Sequence, residues 1–194
     1  SIRRQRQMCI RDRCELMYTY DKLFGEYNHT VAQILLTGED IENKSRCENF
    51  RNTIFRLLAL GTLPIVNEND TVATDEIVIG DNDTLAAIVA ANADADLLVL
   101  LSDIDGLYTS DPHKHPDAEL LPVVDQLTPE ILSLAEGKGT ALGTGGMKTK
   151  LHAAKIAMDA GIDMIIANGA EPMVLYNIVD GKSFGTRFVG RRTI

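Results

Sequence analysis

Four largely apolar runs, VAQILLT (31–37), LPIVNEN (63–69), LLVLLSD (97–103) and DMIIANG (163–169), alternate along the chain with segments of helical period. A strand that is apolar on nearly every residue must be covered on both faces. When the intervening segments are helices, the sheet they cover is mostly parallel. The expected fold is therefore α/β, a three-layer αβα sandwich with a mostly parallel open sheet.

The helices between the runs carry their own signals. Leu16, Tyr20, Leu23, Phe24 and Tyr27 fall near one face of a helix expected from Cys14 to Tyr27. A long helix is expected from a cap at Asp40 to Leu60, with Phe50, Ile54, Leu57 and Leu58 on its apolar side and Gly61 closing it. EIVIGDNDT (76–84) reads as a short strand entering the Ala-rich helix TLAAIVAANA, and 106–116 reads as a loop. Thr128 and Pro129 open the helix PEILSLAEG. The Gly-rich GTALGTGGMKTK leads into a helix over 148–160, and after DMIIANG a helix MVLYNIVDG and a strand FGTRFV complete the pattern.

With 194 residues and 45% hydrophobic content, the chain suits a domain with a sizeable core. No run approaches the roughly 20 apolar residues of a membrane span, and no signal-peptide h-region opens the chain. The three cysteines, Cys9, Cys14 and Cys47, follow no metal-ligand spacing, so a reduced, cytoplasmic compartment is expected. A net charge of −9 argues against a nucleic-acid surface. That charge is uneven: residues 1–13 hold five Arg and one Asp, a net +4 that leaves −13 for the rest. This basic segment starts on Ser1, and its composition changes abruptly before Cys14. It reads as a non-native or disordered leader, with the folded domain expected over 14–194.

Ligands of an open parallel sheet gather beyond the carboxyl ends of its strands. Here those ends are polar: Asn67-Glu68-Asn69-Asp70, Gly80-Asp81-Asn82-Asp83 and Ser102-Asp103. Asn and Asp also make ordinary turns and caps, which would account for any one cluster. Three on the same expected edge point to a site. The second signal is Gly143-Thr144-Gly145-Gly146-Met147 ahead of Lys148, Thr149 and Lys150. Glycines and free helix-start N–H groups admit an anion closely, and lysines add charge. The loop is neither a P-loop nor a dinucleotide fingerprint, and a plain flexible turn is its competing reading.

NENDTVATDEI, GDNDTLAA, LLSDIDGLYTSDP and ALGTGGMKTK, in this order and spacing, resemble the amino acid kinase family. Within it they are most similar to the kinases that phosphorylate the side-chain carboxylate of L-glutamate. The likeness runs from Cys14 to Val189. It implies the amino acid kinase fold, ATP with Mg²⁺, and L-glutamate 5-phosphate as product, the first step of proline synthesis. Carried over residue by residue, it implies that Asp70 and Asn82 bind glutamate and that Ser102 and Asp103 lie at the nucleotide. Thr144, Gly145, Gly146, Met147, Lys148, Thr149 and Lys150 would hold ATP phosphates, with Lys150 as the transition-state cation and Asp83 organising the catalytic lysines. No metal ligand is assigned.

The family's first strand, with its Lys-x-Gly-Ser-like turn, has no counterpart here. The likeness therefore implies a chain that lacks the first strands, one catalytic lysine and a glutamate-binding serine. Such a chain is expected to fold poorly alone and to turn over weakly or not at all. The resemblance also implies a homo-oligomer and allows proline as a feedback inhibitor. Other branches of the family (acetylglutamate, carbamate or uridylate kinases) and a non-catalytic nucleotide-binding domain are the alternatives. His113, His115, His152 and Cys47 are read as carrying no chemistry. Tyr108 and Asp111 either shape the nucleotide pocket or pack their loop.

Overall fold

The computed structural model describes the chain except residues 1, 70–78, 113, 136–143 and 192–194; for residues 2–12 and 144–145 it describes the backbone. The chain forms two compact units, Ser1–Asn82 and Asp83–Ile194.

The first unit holds α1 (Ile2–Gly25), β1 (Thr30–Leu36), α2 (Gly38–Glu42), α3 (Lys44–Ala59) and β2 (Thr62–Glu68). β1 and β2 pair in parallel from Thr30↔Thr62 to Leu36↔Glu68. Helix α1 extends well before Cys14, where the apolar pattern starts. Residues 2–13 contain neither Gly nor Pro, so nothing in them breaks a helix.

The long helix expected from Asp40 is two helices. Thr37, not Asp40, is the N-cap of α2, in a reciprocal capping box. Its hydroxyl accepts the Asp40 N–H at 3.4 Å, and the Asp40 carboxylate accepts the Thr37 N–H at 2.8 Å. Asn43 then takes an extended conformation and starts α3 by accepting the N–H groups of Ser45 and Arg46 at 3.1 and 3.2 Å. A short amide side chain that bonds its own neighbours competes with helix continuation, which is why the break falls there. Phe50 and Ile54 are the buried face of α3, and Gly61, at φ +68°, turns the chain into β2 as expected.

The second unit contains α4 (Asn82–Asn92, entered from the first unit), β3 (Leu97–Ser102), β4 (Val123–Val124), α5 (Pro129–Leu134), α6 (Thr144–Asp159), β5 (Asp163–Asn168), α7 (Val174–Val179) and β6 (Thr186–Phe188). The sheet order is β3-β5-β6-β4, parallel except for β5 against β6. Strand β5 shows how it is covered. Met164 and Ile166 pack with Ala87, Ala90, Leu100 and the α6 residues Leu151, Ala153, Ala154, Ala157 and Met158. Alternate residues Ile165 and Ala167 pack against Val174 and Ile178 of α7. With period-2 alternation, this is one helical layer on each face. The four-residue gap between expectation and structure lies at α6: its helix begins at Thr144 rather than Lys148, so Gly145 and Gly146 belong to its first turn. Glycine costs least where the backbone N–H groups lack intrahelical partners anyway.

Candidate active site

Asp83 is the second residue of α4, and Lys150 lies in the second turn of α6. The Lys150 ammonium sits 3.0 Å from Asp83 Oδ2, and the Thr149 hydroxyl lies 2.8 Å from the same oxygen. That hydroxyl is also 2.9 Å from the Gly146 carbonyl oxygen, which ties the cluster to the first turn of α6. Only 12% of the Lys150 side chain and 22% of the Asp83 side chain are exposed. A pair this sheltered is much less screened by salt than a surface pair, and each charge depends on the other. The packing behind it is apolar: Leu151 is buried, and Met147 lies against the same core. Thus helical spacing turns Lys150 toward α4 while Lys148 stays exposed.

A second cluster lies where β3 and β5 end side by side, Ser102 being the register partner of Asn168. Ser102 donates its hydroxyl to Asp103 at 3.1 Å, and its carbonyl accepts the Gly169 N–H at 2.8 Å. Asp105 accepts from Asn168 Nδ2 at 2.8 Å and from the Tyr108 hydroxyl at 3.1 Å. Burial, then the hydrogen bond to Asp105 and its negative charge, pushes the Tyr108 phenol above its ordinary pKa. Beneath this loop the buried Thr186 hydroxyl accepts the Leu107 N–H at 2.8 Å and donates to the Leu121 carbonyl at 2.7 Å. These contacts fix the path from Ser102 to Tyr108.

The remaining expected site residues fall differently. Asn82 is exposed at the first position of α4. Asp70 lies outside the described residues, as does Gly143, and for Thr144 and Gly145 the described feature is their helical backbone. The structure therefore brings Asp83, Thr149 and Lys150 together, and gathers Ser102 and Asp103 separately. Asp105 and Asn168 were missed by the sequence reading. The signal available was the polar exit of DMIIANG, the same kind of feature that drew attention to Ser102-Asp103. In the first unit Glu68, a member of the expected 67–70 cluster, is buried, and its carboxylate accepts the Ile79 N–H at 3.0 Å. This bond anchors the chain beyond the strand end and gives Glu68 a structural task.

Residues 1–168 match the sequence profile described as "Amino acid kinase family". The chain belongs to the amino acid kinase family. This kinase chain is 48% identical over 196 residues to a glutamate 5-kinase of Clostridium perfringens, spanning 99% of itself and 73% of that relative. It is 54% identical over 173 residues to a glutamate 5-kinase of Clostridium tetani, covering 89% of the chain and 65% of the relative. Against the Carboxydothermus hydrogenoformans glutamate 5-kinase it is 54% identical over 177 residues, 91% of the chain but 47% of the relative. The chain thus spans between about half and three quarters of the lengths of these relatives.

Solved structures carry the same fold. An isopentenyl phosphate kinase superposes with a TM-score of 0.61 at 22% identity, over 91% of this chain and 66% of that one. The carbamate kinase of Giardia lamblia bound to AMP-PNP gives 0.59 at 19% identity, over 88% and 66%. At these identities the likeness establishes the fold, and the expected amino acid kinase α/β architecture is the one found. Among the described residues no helix is long and apolar enough to cross a membrane.

Proposed function

We propose that the protein containing this chain transfers the γ-phosphoryl group of ATP to the side-chain carboxylate of L-glutamate, giving ADP and L-glutamate 5-phosphate. The observation that carries this reading is the Lys150 ammonium held 3.0 Å from Asp83 in a sheltered pair beside the start of α6. The relatives at about half identity, all glutamate 5-kinases, support the choice of acceptor.

The acceptor carboxylate is already ionised near neutral pH, so the reaction needs no general base. Its obstacle is electrostatic: one anion must approach another. Catalysis then rests on positioning and on cations and N–H dipoles aimed at the transferring group. Lys150 supplies a full charge, and an ammonium has more donors than its contact with Asp83 uses. Asp83 fixes where that charge sits, and Thr149 shares the task at the same oxygen. The N–H groups in the first turn of α6, around Gly145 and Gly146, complement phosphate oxygens without a side chain in the way.

For the acceptor, Asp70 pairs with the α-ammonium of glutamate and Asn82 gives a neutral hydrogen bond that adds no repulsion. Ser102 and Asp103 serve the nucleotide. Mg²⁺ fits as a companion of ATP that keeps phosphate oxygens and waters as ligands, and when bound it offsets phosphate charge. We place the protein in the cytoplasm, as a homo-oligomer inhibited by proline, on the family likeness.

The test is a panel of acceptors offered with ATP to the full protein: L-glutamate, N-acetyl-L-glutamate, carbamate and UMP. The carboxyl-phosphate product is trapped with hydroxylamine as a hydroxamate. ADP release and hydroxamate with L-glutamate are expected. Turnover only with one of the other acceptors would move the chain to another branch of the family.

A further inference from the structure

Asn168 closes a hydrogen-bonded circuit that the reaction as described above does not use. Its Nδ2 donates to Asp105 Oδ1 at 2.8 Å, while its Oδ1 accepts the Ala170 N–H at 2.9 Å. The second bond fixes which end of the amide faces Asp105. Tyr108 donates to the other carboxylate oxygen, so Asp105 is held from two directions. The neighbouring strand exits are joined again by Gly169 N–H donating to the Ser102 carbonyl. The segment carrying Ser102 and Asp103 is therefore clamped at both ends, at Ser102 by β5 and at Asp105 by Asn168 and Tyr108. Both donors are neutral and leave Asp105 an anion. An anion repels phosphate and accepts hydrogen bonds from hydroxyls or amines, so this end of the site suits the sugar and base of a nucleotide rather than its triphosphate.

We infer that Asn168 is a positioning residue for the nucleotide, which acts through Asp105 to hold the Ser102–Tyr108 segment in its binding conformation. The inference rests on the kinase reading, but it concerns nucleotide affinity and not the identity of the acceptor.

The test compares Asn168→Asp and Tyr108→Phe with the unmodified full protein, in direct ATP titrations and in steady-state assays with glutamate. Asn168→Asp would set a second carboxylate against Asp105, whose other oxygen accepts from the Tyr108 phenol. Two carboxylates this near titrate as a pair, with one apparent pKa raised. Below that value a shared proton restores a hydrogen bond; above it the two anions repel. ATP affinity relative to the unmodified protein is therefore expected to be near normal at about pH 5.5 and about tenfold weaker at about pH 8, the size of one lost charge-assisted hydrogen bond. KM for glutamate should stay within about twofold, and Tyr108→Phe should weaken ATP by a smaller, pH-independent factor of about threefold.

Unchanged ATP affinity in Asn168→Asp at both pH values overturns the inference while leaving glutamate turnover intact. An equal loss at both pH values, or a loss shared by ATP and glutamate, overturns it as well, because general damage would look like that. If the unmodified protein fails to turn over glutamate, the acceptor assignment falls, and the pH-dependent loss of ATP affinity still decides the role of Asn168.

Discussion

Lys150 and Asp83 come from helices far apart in sequence, and neither charge would be stable so sheltered without the other. The separation of 67 residues between them means the ion pair exists only once α4 and α6 have packed. Replacing Lys150 with Met keeps the apolar stem and removes the charge. Its kcat is expected to fall about 100- to 1000-fold, with ATP binding weakened far less, since the proposed role sets that charge against the moving phosphoryl group. Rapid-mixing kinetics with glutamate, set beside ATP titration, would separate the two effects; equal losses in both would mean Lys150 acts mainly in ground-state binding. Much of this cluster was legible from polar strand exits and the Gly-rich segment ahead of Lys150. The Asp105–Asn168 bond was not, since its partners stand 63 residues apart and no local pattern links them.

Among elements, the start of α2 shows how little sequence decides a boundary. Thr37 and Asp40 satisfy each other's backbone, and Asn43 then ends one helix and begins the next. A single apolar periodicity through 40–60 hides that break, because the buried residues Phe50 and Ile54 all lie after it. Burial raises the Asp40 pKa, but the hydrogen bonds from Thr37 and the Arg46 charge outweigh it and leave the carboxyl below its ordinary value. A lowered folded-state pKa stabilises the fold above the unfolded value and ceases to do so as pH falls through the folded one. Asp40→Ala should therefore lower stability by about 1 kcal/mol near neutral pH. Denaturant titrations of variant and parent should converge in acid; a gap that persists there would assign the effect to something other than the ionised Asp40 side of the capping box. Gly185 gives a stricter constraint at the entry to β6, beside β5. It sits at φ +64°, and a Cβ there would run into the Ile166 carbonyl. Gly185→Ala is expected to cost about 1–3 kcal/mol in thermal or denaturant unfolding, from overpacking and the unfavourable φ together.

At the largest scale, the layering of the second unit was readable because apolar strands with helices between them have few ways to be covered. Strand β4 was not, being two residues long and held by pairing with β6. The second unit packs α4 and α6 onto its sheet with small side chains, among them Ala87, Ala153, Ala154 and Ala157, all fully buried. Small residues let helix backbones lie close to the strands, which also fixes how near Asp83 and Lys150 come. Ala154→Leu should destabilise the fold by about 1–3 kcal/mol. It should also lower kcat by separating the pair, a coupling that stability measurements and kinetics on one sample would test. The most direct trial of the kinase account is glutamate-dependent ADP release by the full protein, measured for the parent and for Lys150→Met under saturating ATP. Release is expected to require L-glutamate and to fall at least about 100-fold in the variant. Release that ignores glutamate, or that survives the loss of the Lys150 charge, would contradict the kinase reading.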